Sequence, residues 1–186
     1  IAQMAREGRP TLPAVGAVAS ALASVAVPVF SVTALLGPEL FAFVFGSEWR
    51  EAGVAASILS PWLALSLVSS PISSVVTVWE RLGQLLALGV LEASLRFAAL
   101  AAGAGLGNWH VSMAAYSVVG CPISLYTTAW VLRLSGGSLW AWLASWPKTN
   151  WVFIGAVSVL SVLKPLVSPL PFIVAACVLC AIGVLA

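Results

Sequence analysis

Charge is what this sequence lacks most. Its 186 residues include eight Lys or Arg and six Asp or Glu, so 8% are charged, whereas soluble globular proteins carry about 25%. A chain so poor in charge cannot cover a water-exposed globule, and its mean hydropathy of +1.08 predicts a membrane protein. The basic residues occur singly and the formal net charge is only +2, which argues against a nucleic-acid partner.

Side chains for catalysis and metal binding are also scarce. The sequence has one histidine, His110, and three cysteines, Cys121, Cys177 and Cys180, all within apolar stretches. Cysteine behaves there as a small apolar side chain, and the CVLC spacing of the last two has no further ligands nearby. We therefore predict no metal, no disulfide and no cofactor. Because no nucleophile, base and orienting partner can be assembled, we expect a protein that is not an enzyme.

Long apolar runs occupy most of the chain. A helix needs about 20 mostly apolar residues to cross a bilayer, and six runs approach or exceed that length: residues 12–36, 52–78, 85–106, 111–132, 151–166 and 171–186. They lack the strict alternation of β-barrel strands. The predicted fold is an all-α membrane protein, a bundle of about six transmembrane helices forming one domain over residues 1–186. Because the chain starts at Ile1 and stops inside an apolar run, we expect a fragment of a longer protein.

The basic residues predict the orientation, since Lys and Arg favour the cytoplasmic side of a membrane. A cytoplasmic N-terminus leaves Arg50 and Lys164 outside and puts five basic residues inside: Arg6, Arg9, Arg81, Arg133 and Lys148. Residues 137–150 carry three tryptophans beside Lys148 and are predicted to lie along the cytoplasmic interface. The segment FGSEWREAG, residues 45–53, then forms an outer elbow between the first and second helices.

Three consecutive predicted helices each carry one polar or small face at helical spacing. The second has Ser66, Ser69, Ser70, Ser73, Ser74 and Thr77; the third has Gln84, Gly89, Glu92, Arg96 and Gly103; the fourth has Tyr116, Ser117, Gly120, Ser124, Thr127 and Thr128. Such faces are typical either of close helix packing or of a polar lumen. In the first predicted helix, small residues at every fourth position indicate only close packing against another helix: Gly16, Ser20 and Ser24.

The third face contains two charges in mid-membrane. An isolated Arg at the bilayer centre costs about 2.5–3.5 kcal/mol on insertion scales, so such residues usually face a bundle interior or an aqueous cavity. Glu92 and Arg96 are four residues apart, which lets them pair on a helix. Either they form a structural ion pair, or Arg96 offers its charge to an anionic substrate while Glu92 modulates it. The candidates for lining a substrate cavity are Glu92, Arg96, Ser66, Ser70, Ser73, Thr77, Tyr116 and Ser124.

Several short motifs support a family resemblance. The stretch GPELFAFVFGSEWREAG, followed by ASILSPWLALSLVSSPISSVVTVWERLGQ, resembles the Wzx-type polysaccharide exporters of the multidrug, oligosaccharidyl-lipid and polysaccharide exporter superfamily. The FG-x-x-W-x-x-AG elbow is matched by Phe45, Gly46, Trp49, Ala52 and Gly53. In the following helix, the family's proline-containing apolar start is matched by Pro61 and Trp62, and its S-P step by Ser70 and Pro71. The W-x-L-R-x-x-G pattern at the end of a later helix is matched by Trp130, Leu132, Arg133 and Gly136. The resemblance covers residues 1–136, and residues 151–186 match only as a terminal helix pair.

The resemblance implies both an architecture and a function. Such exporters have two six-helix lobes around a central cavity, and this chain would hold most of the second lobe, with the missing N-terminal lobe as its partner. Alternating access would flip a polyprenyl-diphosphate-linked glycan, such as an O-antigen precursor of lipopolysaccharide, across the bacterial inner membrane. Membrane lipid and glycan polymerase machinery are the other implied partners. The elbow residues Glu48, Arg50 and Glu51 would organise the outer gate.

Two other functions remain open from the sequence. A drug or metabolite antiporter of the same superfamily would need cation-coupling residues that the missing lobe could supply. A structural membrane subunit without transport activity would use the polar faces for dry packing.

Overall fold

A computed structural model describes residues 11–146, 150–151 and 154–155 of the chain. Within this part, five α-helices are bounded as α1 Leu12–Phe45, α2 Arg50–Ser73, α3 Leu82–Gly105, α4 Trp109–Leu134 and α5 Leu139–Ala144. Two 3₁₀ segments, Ser47–Trp49 and Ser74–Trp79, flank α2. No strand occurs among these residues, which confirms the all-α prediction for the described part of the chain.

Four segments of the described chain are long and apolar enough to cross a membrane. They are Leu12–Phe45, Ser47–Thr77, Leu82–Gly105 and Trp109–Leu134, and they correspond to the first four predicted spans. The predicted spans 151–166 and 171–186, with Lys148, Lys164, Cys177 and Cys180, lie outside the described residues except at positions 151, 154 and 155. The total of about six helices therefore stays a prediction.

Prolines affect the helices differently from one another. The first helix continues through Pro28 and Pro38 and ends at Phe45, nine residues beyond the predicted end of its span. In contrast, α2 gives way to a 3₁₀ segment at Ser74, three residues after Pro71. Proline has no amide hydrogen, so Pro71 leaves the carbonyl of Leu67, four residues earlier, without its helical hydrogen bond. The 3₁₀ geometry lies on the other side of Pro71, from Ser74 onward.

The elbow is a tight connection between two helices. Gly46 has φ +103°, a conformation that favours glycine, and its N–H donates to the carbonyl of Ala42 at 3.1 Å. A single 3₁₀ turn follows, and α2 begins at Arg50. Phe45 packs against Trp49 with ring centroids 5.8 Å apart and ring planes tilted by 49°, which joins the end of α1 to the 3₁₀ turn before α2.

The helices pack in an order that differs from their order in the chain. The helix α1 packs on α2, α2 packs on α4, and α4 packs on α3, whereas α2 and α3 scarcely touch each other. Close approach of α1 and α2 is made possible by Gly37 and Gly53, which face each other across the crossing. There the Ser57 hydroxyl donates to the Thr33 carbonyl at 2.9 Å. A cleft consequently remains between α2 and α3, with α4 as its floor.

The apolar core lies around one half of α1. The buried face of α1 is Val15, Ala19, Ala23 and Ala26, in contact with residues of α2, the second 3₁₀ segment, α4 and α5. The predicted packing face of Gly16, Ser20 and Ser24 is displaced from it: Gly16 and Ser20 line a cavity beside α5.

The tryptophan-rich segment is divided between core and surface. Trp142 is 9% exposed and its indole N–H donates to the Ser20 hydroxyl at 3.0 Å, whereas Trp140 is 80% exposed. Trp142 is thus part of the core, and the position of residues 137–150 along the cytoplasmic interface stays a prediction.

Candidate functional site

A cavity lined largely by hydroxyl groups occupies the cleft between α2 and α3. Its volume is about 190 Å³, and six of its lining residues carry hydroxyls: Ser66, Ser69, Ser70 and Ser73 from α2, and Ser124 and Thr127 from α4. The third helix contributes Gly89 and the carboxylate of Glu92. Ser73 and Thr127 donate their hydroxyl protons to carbonyls of their own helices, so their oxygens remain available as acceptors.

Glu92 and Arg96 form an ion pair near the middle of α3. Arg96 Nη2 donates to Glu92 Oε1, and the side chains of Arg96 and Glu92 are 11% and 31% exposed. Glu92 lies ten residues after Leu82 and Arg96 lies nine before Gly105, which is about 15 Å and 13.5 Å along the helix. Neither head group therefore lies near a helix end, where it could reach water by extending along the helix.

Aromatic rings hold the Arg96 guanidinium on its other sides. Its central carbon lies 4.1 Å from the centroid of the Trp62 ring and 4.7 Å from that of Tyr116. Arg96 Nη1 also donates to the Tyr116 hydroxyl at 2.9 Å. Cation–π contacts of this kind contribute about 0.5–2 kcal/mol each, so the charge is stabilised by three helices at once.

Gly120 makes room for this arrangement. A Cβ atom added at this position of α4 would lie 2.8 Å from Arg96 Nη2 and 2.8 Å from Trp62 Nε1. The guanidinium and the indole thus rest directly on the backbone of α4. The small residue that the sequence placed on the polar face of the fourth helix is what lets the charged and aromatic groups meet.

A second cavity of about 380 Å³ adjoins the hydroxyl-lined one. Arg96, Tyr116 and Phe97 line it, and it shares Gly89 and Glu92 with the first cavity. Arg96 Nε is buried and has no hydrogen-bond partner among the described residues. The Glu92 carboxylate therefore lies between a hydroxyl-lined space and a space that contacts the arginine.

Most of the predicted cavity residues come together here, and one does not. Ser66, Ser70, Ser73, Ser124 and Glu92 line the hydroxyl cavity, and Arg96 and Tyr116 line the adjoining one. Thr77 is exposed, and its hydroxyl donates to the Ser74 carbonyl at 2.7 Å. The predicted stripe assumed about 100° per residue throughout, but the 3₁₀ segment from Ser74 advances about 120° per residue and rotates Thr77 away.

Two residues of the predicted face on the third helix also lie elsewhere. Gln84 lines a separate groove with Arg81, and Gly103 packs against the backbone of Ser112. Within the described ranges, no cluster of His, Cys, Asp and Glu is arranged to hold a metal ion.

Two important partners were missed in the sequence. Trp62 belongs to a motif of the family resemblance, and its position four residues before Ser66, which continues the serine stripe, is the signal that could have predicted its place beside Arg96. The Glu39 side chain is 14% exposed, and its Oε1 lies 3.7 Å from Nη2 of Arg50 across the elbow. No local spacing in the sequence predicts this ion pair. Glu48, Trp49 and Glu51 are exposed, and their role at an outer gate stays a prediction.

No family model matches the chain, and no curated protein or solved structure is significantly similar to it.

Proposed function

We propose that this chain is part of a membrane transporter that flips a lipid-linked oligosaccharide across the bacterial inner membrane by alternating access. Its substrate is a polyprenyl-diphosphate-linked glycan, carried from the cytoplasmic to the periplasmic leaflet, with the N-terminus of the chain on the cytoplasmic side. The observation that carries the proposal is the hydroxyl-lined cavity that adjoins a mid-membrane Glu–Arg pair, within helices that are otherwise apolar.

The hydroxyl cavity suits the glycan part of such a substrate. Sugars lose their water when they enter a membrane, and a buried hydroxyl without a partner costs roughly 2–7 kcal/mol. Serine and threonine oxygens can accept hydrogen bonds from sugar hydroxyls and replace that water. The polyprenyl chain needs no such replacement, because it stays in the lipid.

Arg96 suits the diphosphate. Guanidinium groups bind phosphate through paired, charge-assisted hydrogen bonds, but Glu92 and Tyr116 already occupy Nη2 and Nη1. A diphosphate would therefore exchange with the Glu92 carboxylate, while Trp62 and Tyr116 keep the guanidinium in place. Release would reverse the exchange, with Glu92 taking back the arginine.

Transport is tested with the intact protein reconstituted into liposomes. The assay follows the movement of a fluorescent polyprenyl-diphosphate glycan between leaflets. Arg96→Gln should lower the flipping rate by about 10- to 100-fold, the effect of about 1.5–3 kcal/mol expected for hydrogen bonds to a charged group. Arg133→Gln, which removes an exposed charge at the end of α4, should leave the rate unchanged. Equal rates for Arg96→Gln and the wild type would refute the assigned role.

The structural-subunit alternative is favoured by one observation, namely that Arg96 and Glu92 already satisfy each other. Cysteine labelling separates the two functions. A polar thiol reagent should modify Ser73→Cys and Ser124→Cys if the cavity holds water, and it should not modify Ser94→Cys, which lies on α3 outside both cavities. Unreactive cysteines at all three positions would favour dry packing.

A further inference from the structure

A groove next to the candidate site lies between the start of α3 and the end of α4, and Leu88 lines both this groove and the hydroxyl-lined cavity. Its volume is about 530 Å³, and Arg81, Gln84, Leu91, Tyr126 and Trp130 are among the residues that line it. It contains neither Glu92 nor Arg96, and none of the six hydroxyl residues of the first cavity.

The groove carries a positive charge that no acidic side chain among the described residues neutralises. In the part of the chain that the structure describes, Arg50 pairs with Glu39 and Arg96 with Glu92, but no acidic side chain lies within 4.0 Å of Arg81. Glu80, its neighbour along the chain, is exposed and does not line the groove. The guanidinium of Arg81 and the amide of Gln84 line the same groove and provide donors for an anionic group, such as a phosphate, which arginine binds through paired hydrogen bonds.

Beyond Arg81 and Gln84, the α3 side of the groove is apolar, with Ala87, Leu88 and Leu91, while α4 contributes Tyr126 and Trp130. Arg81 and Leu91 are ten residues apart, about 15 Å along a helix, which is half the hydrocarbon thickness of about 30 Å. The groove thus matches the depth of one leaflet. Trp130 lies four residues before the end of α4, near the start of α3, and tryptophan prefers the level of lipid headgroups.

We propose that this groove binds an anionic glycerophospholipid of the membrane, with its phosphate at Arg81 and an acyl chain along Leu91. A zwitterionic phosphocholine lipid fits less well, because its own cation adds a second positive charge beside the guanidinium. The bound lipid is separate from the transported substrate, so this inference does not depend on the proposed function.

Native mass spectrometry of the purified protein tests the proposal by titration with dioctanoyl-phosphatidylglycerol and dioctanoyl-phosphatidylcholine, which differ only in headgroup. We expect one saturable phosphatidylglycerol site with at least about fivefold preference over phosphatidylcholine, as one surface arginine provides. Arg81→Gln should abolish the preference for phosphatidylglycerol. Arg133→Gln removes a charge from the same end of α4 as Trp130 and should keep the preference. Ala87→Phe fills the groove without changing its charge and should weaken the binding of both lipids. This variant tests the site even if Arg81→Gln does not fold.

Three results would overturn the proposal. Equal affinities of the wild type for the two lipids would remove the role of charge. Equal losses of phosphatidylglycerol affinity in Arg81→Gln and Arg133→Gln would indicate a general electrostatic attraction rather than a site at Arg81. Tighter binding of farnesyl diphosphate than of phosphatidylglycerol, lost in Arg81→Gln, would assign the groove to a prenyl diphosphate instead.

Discussion

The crossing of α1 and α2 should be sensitive to a single added methyl group at Gly53. A Cβ atom built there would lie 2.6 Å from the Cα of Pro38, whereas ordinary contacts begin at 3.4 Å. The Gly37 carbonyl oxygen would lie closer still, so the helices would have to separate by at least about 0.8 Å, the difference between these two distances. The obstructing atoms belong to the backbone, which has no alternative rotamer. The separation would also weaken the hydrogen bond from Ser57 to Thr33.

The expected cost follows from these contacts. Overpacking typically costs about 1–3 kcal/mol, and the better helix propensity of alanine returns up to about 1 kcal/mol. We therefore expect Gly53→Ala to lower the free energy of unfolding by about 1–2 kcal/mol. Gly16→Ala is the matched control, since a Cβ there meets nothing within 4 Å; it should be neutral or stabilising by up to about 1 kcal/mol.

Reversible unfolding by dodecyl sulfate in mixed micelles would measure both variants under one set of conditions. If Gly53→Ala unfolds within about 0.5 kcal/mol of Gly16→Ala, the close glycine crossing does not hold these helices together, because surface-like changes fall in that range.

Two further predictions concern polar contacts inside the bundle. In a double-mutant cycle, Glu92→Gln and Arg96→Gln together should cost less stability than the sum of the single variants, by about 0.5–3 kcal/mol; additive losses in unfolding free energy would contradict the pairing. Trp142→Phe removes the indole donor to Ser20 and should lower stability by about 0.5–1.5 kcal/mol. Trp140→Phe, at a position 80% exposed, should lie within about 0.5 kcal/mol of the wild type, and equal effects at the two positions would refute this.

The four described spans could be predicted because their signals are local. Each is a run of apolar residues about one bilayer long, interrupted where charge or glycine accumulates, and partition into lipid depends on that run alone. The pairing of Glu92 with Arg96 was likewise anticipated as one possibility, since residues four apart on a helix are neighbours wherever the helix lies.

Helix geometry limited what could be predicted about the faces. The serine stripe held along α2 but failed at Ser74 and Thr77, where the α-helix gives way to a 3₁₀ segment after Pro71. The sequence contained the proline, yet Pro28 and Pro38 leave α1 uninterrupted. Whether a proline ends a helix depends on neighbours that can satisfy the freed carbonyls, and these belong to other parts of the fold.

The sequence by itself determined that the described part of the chain is helical, that four of its helical segments are apolar and long enough for a membrane, and which side chains carry charge within them. Only the tertiary structure decided that Arg96 rests on Trp62, Tyr116 and Gly120, and that Arg81 lies in a different groove. The physical reason is that hydropathy and helical periodicity are properties of one segment. The distance and rotation between helices come instead from contacts between residues far apart in the chain, such as Gly37 with Gly53.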